Sequence, residues 1–209
     1  MATIQQEQIS STIKDLYLDS KYDGIKMIKG VAKSLIRPMQ PSDFKEAYLS
    51  ISKEQGEDLK ELIIENKLKH IVEFGTSFGI STLFMAQAAI EIGGKIITTE
   101  LIQSKALKAI ENFKMAGVNH LIEVWVGNAV QTLKQYKEPV DLLFLDGWKD
   151  LYLPVFELLE SNFHSNTLVY VDNANMTDTQ KFLAVIGKNP NYNIEYKYNG
   201  KAAIISLIK

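Results

Sequence analysis

Val72-Glu73-Phe74-Gly75-Thr76-Ser77-Phe78-Gly79-Ile80-Ser81 decides how this 209-residue chain is read. The β-branched run His70–Glu73 leads straight into two glycines, and the apolar stretch Ile80–Ile92 follows at helical length. A strand, a glycine turn and a helix in immediate succession form the opening of a βαβ unit. Glycines let the backbone turn sharply and approach a ligand closely, and the helix start presents free N–H groups.

Working outward, the pattern repeats. Strand candidates are Lys95–Glu100, Ile122–Gly127, Val140–Asp146 and Thr167–Asp172, several of them apolar almost throughout, as strands covered on both faces must be. Ser104–Ala116, Ala129–Lys137, Leu151–Glu160 and Thr177–Lys188 read as the intervening helices. Ser104 stands where an N-cap is expected, and Gly93-Gly94 and Gly117 stand at helix ends. Tyr192–Tyr198 and Ala202–Ile208 are two strands joined at Asn199-Gly200, a hairpin dipeptide. Upstream, Ser11–Leu18, Tyr22–Ile36 and Lys53–Lys67 carry apolar residues at helical spacing. The expectation is one α/β domain over 1–209: a doubly wound parallel sheet over 70–209 with a C-terminal antiparallel hairpin, and an N-terminal helical cover over 1–69. Asp43–Ser52 is the natural lid.

Composition narrows the chemistry. Hydrophobic residues make up 46% and charged residues 23%, so the chain reads as a soluble globular domain. It has no cysteine, which excludes disulfides, thiolate metal sites and a cysteine nucleophile. Its three histidines are far apart, which argues against a histidine-rich metal site. A net charge of −2 gives no large basic footprint for nucleic acid. Neither a signal peptide nor a bilayer-length apolar run is visible, so no membrane partner and a cytoplasmic location are expected.

The glycine turn has the spacing Glu-x-Gly-x-x-x-Gly, unlike the Gly-x-Gly-x-x-Gly of dinucleotide sites. Glu73 would repel a pyrophosphate and suits a ligand bearing an amino or sulfonium group, which favours S-adenosylmethionine over NAD. The bland alternative is a turn that binds nothing. Glu100 ends the next strand, where a carboxylate can accept both hydroxyls of a ribose. Asp146-Gly147-Trp148-Lys149-Asp150 and Asp172-Asn173 lie at the ends of the fourth and fifth strands. Ligands of open α/β sheets bind at such ends, so the tips should converge. Two carboxylates and a carboxamide form an oxygen-only set suited to Mg²⁺. The competing reading is that Asp146 and Asp172 merely cap the helices that follow.

The run Asp146-Gly-Trp-Lys-Asp-Leu-Tyr-Leu-Pro154, followed by Asp172-Asn173, resembles the catechol O-methyltransferase family, and the resemblance extends from about Leu49 to the C-terminus. It implies a Rossmann-like methyltransferase sheet with S-adenosylmethionine and Mg²⁺, or another divalent cation, as cofactors. It makes Asp146, Asp172 and Asn173 the metal ligands and Lys149 the general base. Glu73, Gly75 and Ser81 would hold the methionine portion of the cofactor, with Ile51 against it. Glu100 would bind the ribose, Leu101 and Trp148 would pack about the adenine, and Gly127-Asn128-Ala129 would line its edge, with Asp146 also touching the cofactor. The chain departs from the family at several places. Gly147 replaces a histidine, and Ala129 and Val130 replace a serine and a glutamine. Ala47 replaces an aromatic gatekeeper, with Tyr48 beside it. No proline wall is seen in Ala174-Asn-Met-Thr177, and Glu195 is the counterpart of a late glutamate that grips the second hydroxyl.

The expected activity is Mg²⁺-dependent methyl transfer to a hydroxyl of a vicinal dihydroxy aromatic. The same residues allow another natural-product or caffeoyl-type acceptor. An NAD-linked oxidoreductase, a nucleic-acid methyltransferase and a non-catalytic cofactor-binding module are the alternatives from other classes. The oligomeric state is left open, a homodimer being one option. Trp148 would wall a flat substrate, whereas Trp125 reads as core.

Overall fold

A computed structural model describes residues 2–20, 43 and 51–208. Helices α1 (Ala2–Ser20) and α2 (Lys53–Asn66) precede β1 (His70–Phe74), α3 (Ile80–Ile92), β2 (Lys95–Glu100), α4 (Gln103–Met115) and β3 (Ile122–Val126). There follow α5 (Ala129–Thr132), β4 (Val140–Leu145), α6 (Tyr152–Leu159), β5 (Phe163–Asp172), α7 (Thr177–Ile186), β6 (Tyr192–Lys197) and β7 (Ala202–Leu207). The expected helix Tyr22–Ile36 and most of the expected lid lie outside the described residues.

The seven strands form one sheet in the order β3-β2-β1-β4-β5-β7-β6. Pairing is parallel from β3 to β5 and antiparallel through β7 and β6. The doubly wound sheet with a terminal hairpin is therefore as expected. Strand order reverses between β1 and β4, which places the crevice of an open α/β sheet at their carboxyl ends.

Side chains alternate across the pleat, and two apolar clusters result. Ile71, Ile96, Leu142, Phe144 and Tyr170 pack with α1, α2, α3 and Phe113 of α4. Val72, Phe74, Leu143, Leu145, Val169 and Val171 pack on the other face, against residues of α6 and α7. Ile9, Ile13 and Leu16 of α1 and Leu59 and Ile63 of α2 belong to the first cluster, so the described N-terminal helices share the core of the sheet. Helix α3 is buried along most of its length between them.

Several local expectations need correction. Helix α4 starts at Gln103 with Ile102 as its N-cap, so Ser104 lies inside the first turn. The Ile102 N–H is instead taken by Glu100 Oε1 at 2.8 Å, and this fixes the helix start two residues early. The helix expected over Ala129–Lys137 is a single α turn followed by a 3₁₀ turn at Leu133–Gln135. Lys197 pairs with Ala202, so β6 ends one residue short of the expected Tyr198 and the hairpin loop around Asn199-Gly200 has four residues, Tyr198 to Lys201. Tyr198, Asn199 and Gly200 all take positive φ. Trp125 is half-buried on the edge strand β3, with Nε1 donating to Glu123 Oε1 at 2.7 Å.

Candidate active site

Strand alternation gathers the acidic residues. Ile71, Ile96, Phe144 and Tyr170 face α1 to α4, so Glu73, Glu100, Asp146 and Asp172, each an even number of residues further on, share that face. All four stand at or near the carboxyl ends of their strands.

The glycine loop sits at the switch point. Gly75 N–H and Thr76 N–H both donate to Thr99 O, at 3.1 and 3.0 Å, and Asp146 N–H donates to Phe74 O at 3.0 Å. The loop after β1 is thereby held to both neighbouring strands. Gly75 has φ +100°, and a Cβ there would lie 2.7 Å from Gly147 Cα. Only glycine allows this turn and this backbone approach together.

The Glu73 carboxylate is completely buried. Oε1 accepts from Ser81 Oγ, and Oε2 from Thr82 and Thr98 Oγ1, each at 2.5 Å. Burial pushes its pKa above the ordinary carboxylate value, and the hydroxyl donors pull against that. Glu73 and Ser81 are thus bonded to each other.

Glu100 ties the first two βα loops together. Its Oε2 accepts the Ser77 N–H at 2.9 Å, and its Oε1 accepts the Ile102 N–H. Burial raises its pKa, opposed by the Ile102 N–H and by the Lys105 ammonium. Lys105 is itself buried, 3.2 Å from Ser77 Oγ and 5.3 Å from the centre of the Phe78 ring. Beside Glu100, Leu101 is 52% exposed. Gly127 N–H donates to Glu100 O at 2.9 Å, and Asn128 Oδ1 accepts the Val130 N–H at 2.9 Å to cap α5. Ala129 and Ile51 are buried, and Ile51 O accepts from Tyr17 Oη at 2.9 Å. The second βα loop and the start of α5 thus lie beside the glycine turn.

Neither Asp146 nor Asp172 caps a helix: the N-cap positions of α6 and α7 are Leu151 and Met176. The two carboxylates face each other instead. Burial raises the Asp146 pKa well above the ordinary range, Asp172 raises it further, and Lys149 opposes both. Lys149 Nζ is 3.2 Å from Asp146 Oδ1 and lies over the Tyr152 ring at 5.3 Å. Asp172 Oδ1 accepts from Gln55 Nε2 at 3.1 Å, and Asp172 O accepts from Tyr152 Oη at 3.3 Å. Asn173 takes a left-handed φ of 52°. Trp148 is half-buried between Gly147 and Lys149.

Among the described residues no three His, Asp or Glu side chains are placed to hold a metal ion. Asn173 follows Asp172 directly in the chain, and its carboxamide makes no hydrogen bond among the described residues. Asp172 is buried and Asp146 nearly so, and the one ammonium paired with them, Lys149, sits on Asp146; a hard cation with oxygen preference fits such an acidic pair.

The sequence profile of the O-methyltransferase family matches residues 32–181, more than two thirds of the chain. The chain belongs to the O-methyltransferase family. It is 33% identical over 129 residues to a catechol O-methyltransferase of Niastella koreensis, covering 60% of this chain and 58% of that protein. To mouse catechol O-methyltransferase it is 27% identical over 149 residues, covering 68% and 56%. The match thus spans little more than half the length of these relatives. Among solved structures, the SAH-bound methyltransferase of Podospora anserina superposes with a TM-score of 0.72 at 21% identity, over 88% of each chain. A Bacillus cereus O-methyltransferase in complex with SAH gives 0.67 at 22% identity, over 88% of this chain and 97% of that one. Both likenesses are of fold.

For two of the positions at which the sequence departs from the pattern of the family it resembles, the structure shows the surroundings. A Cβ at Gly147 would fall 2.5 Å from Phe74 Cζ, so the Phe74 ring fills the space that a side chain at 147 would need. Glu195 lies on the edge strand β6, beyond β7 from Asp172, and is paired with Lys197. Ala47 and Tyr48 fall outside the described residues. Gln55, Thr98 and Lys105 join the site without having been singled out from the sequence. For Gln55 the signal was present, because Ser52-x-x-Gln55 is a capping-box pattern ahead of an apolar run.

Proposed function

We propose that this chain transfers a methyl group from S-adenosylmethionine to one hydroxyl of a catechol-like, vicinal dihydroxy aromatic, with Mg²⁺ or another divalent cation as cofactor. The observation that carries the reading is the facing pair Asp146 and Asp172, with Lys149 on the Asp146 carboxylate and Gln55 on that of Asp172. Asp146, Asp172 and Asn173 are the residues that would hold the cation. When bound, the cation supplies positive charge that favours ionisation of a neighbouring hydroxyl.

The chain's own groups do the rest. Lys149, on the turn directly after Asp146, accepts the acceptor's proton at Nζ as the neutral amine, after the ammonium that pairs with Asp146 here has released its own proton to solvent. Each Glu100 oxygen takes one backbone N–H and keeps lone pairs for ribose hydroxyls. Ser81 spends its proton on Glu73, so its oxygen faces a ligand as an acceptor carrying the influence of that carboxylate, and this suits an ammonium group. Leu101 and Trp148 offer apolar surface for the adenine, Ala129 and Asn128 stand at its edge, and Ile51 and Gly75 flank the methionine portion. Holding donor and oxygen in line lets the S–CH₃ bond break as O–CH₃ forms, and such positioning lowers a barrier by roughly 7–11 kcal/mol.

The test is a methyl-transfer screen of dihydroxyphenyl compounds and caffeoyl-type acceptors, with and without EDTA, read by product mass. Monomethylation of a vicinal diol that EDTA abolishes is expected. Turnover indifferent to EDTA overturns the cation's part, and turnover confined to acceptors without vicinal hydroxyls overturns the substrate class.

A further inference from the structure

Helix α2 begins with a reciprocal capping box. Ser52 Oγ accepts the Gln55 N–H at 3.1 Å, and Gln55 Oε1 accepts the Ser52 N–H at 3.1 Å. An amide side chain has one acceptor end and one donor end. Because Ser52 N–H occupies the acceptor end, the NH₂ group must point the other way, and it donates to Asp172 Oδ1 at 3.1 Å across 117 positions of sequence. The buried Tyr170 hydroxyl adjoins the same amide, and the contact is part-buried. The two facing carboxylates are each anchored at Oδ1: Asp146 by Lys149 and Asp172 by Gln55. The two side chains also contact each other, so a ligand shared between them would meet carboxylates that are each held at one oxygen.

We infer that Gln55 is a positioning residue for the divalent-cation site, its amide fixed by the helix cap and holding the Asp172 carboxylate in place for the cation it would help to bind; this rests on the cation reading proposed above. Partners that orient a ligating carboxylate govern affinity without touching the metal, and losing one weakens binding by roughly 10–100-fold. The Gln55–Asp172 contact also ties the start of α2, and Ile51 just before it, to the end of β5. A contact that merely stabilised the helix would contribute to folding and leave ion affinity alone.

The experiment separates these roles with two variants of the full chain, each titrated with Mn²⁺ in the presence of S-adenosylhomocysteine by calorimetry and by the electron-spin signal of free Mn²⁺. Gln55→Met removes the donor to Asp172. Ser52→Ala removes one half of the cap but keeps the backbone N–H that orients Gln55, and so controls for helix stability. The expected result is at least about tenfold weaker Mn²⁺ binding in Gln55→Met, with Ser52→Ala unchanged in Mn²⁺ affinity though lower in melting temperature. Equal affinity in Gln55→Met and the unaltered chain overturns the inference, as does equal weakening in both variants. Failure of the unaltered chain to bind Mn²⁺ overturns the cation reading itself, a separate outcome.

Discussion

Phe74 and Gly147 meet at the switch point of the sheet, the Phe74 ring occupying the volume into which any side chain at 147 would project. Gly147→Ala places a carbon 2.5 Å from Phe74 Cζ, and because Phe74 is packed in the second core cluster its ring cannot swing away freely. Overpacking of this kind costs about 1–3 kcal/mol. For a chain of this size that is a fall of roughly 2–4 °C in melting temperature per kcal/mol. Phe74→Leu removes the far end of the ring, so Gly147→Ala made in that background should cost much less. Thermal melts of both single variants and the double variant close the cycle, and strictly additive losses refute the steric pairing.

Lys149 is the only cation bonded to the facing carboxylates among the described residues. If it takes the acceptor's proton, Lys149→Met should lower kcat by about 10²–10⁴-fold, the usual contribution of a general base. Affinity for S-adenosylhomocysteine, measured by calorimetry, should stay within a small factor, because Nζ lies beside Asp146 rather than Glu100 or Glu73. An unchanged kcat at saturating acceptor removes Lys149 from the proton step.

Glu73 makes the fold pH-dependent in a direction opposite to most carboxylates. Its folded pKa is raised above the model-compound value of 4.5, chiefly by burial. Between 4.5 and that raised value the native state holds a proton that the unfolded chain releases, so stability falls as pH rises through the window. Below 4.5 both states are protonated, and the group's favourable contribution is fully present. Glu73→Gln removes the titration and should flatten this part of the profile. Urea unfolding from pH 4 to pH 8, in EDTA, should show the wild-type chain losing stability relative to the variant with rising pH. Parallel profiles would mean that the hydroxyls of Ser81, Thr82 and Thr98 cancel the burial cost.

Much of the sheet is legible in the amino-acid order, because β1, β4 and the inner part of β5 are buried on both faces and leave unbroken apolar runs. The carboxyl-end acids are legible for the same reason: a charged residue closing an apolar strand marks its tip. What escapes is set by contacts distant in sequence or by unusual backbone. Ser104 has an N-cap's chemistry, yet Glu100 captures the Ile102 N–H and starts the helix earlier. Asn199-Gly200 favours a two-residue turn, but Tyr198 also adopts a positive φ and donates its hydroxyl to Asp58 on α2, which widens the loop. Gln55 announces a helix cap and nothing more; only the folded chain brings its amide to Asp172.

Glu100 offers a further test, because its two oxygens do different structural work before any ligand arrives. One holds the Ser77 N–H of the glycine loop and the other the Ile102 N–H at the start of α4. Glu100→Gln keeps a single acceptor oxygen, so one of those two N–H groups loses its partner and a ribose meets an amide in place of a carboxylate. Hydrogen bonds to a charged group contribute about 1.5–3 kcal/mol, which corresponds to S-adenosylhomocysteine affinity falling by roughly 10- to 150-fold. Lys105→Met should weaken the same affinity more mildly, since its ammonium favours the charged form of Glu100 while both backbone N–H partners of that carboxylate stay in place. Calorimetric titration of both variants checks the order of the two effects. A Glu100→Gln chain that binds S-adenosylhomocysteine as tightly as the unaltered one would place the ribose elsewhere.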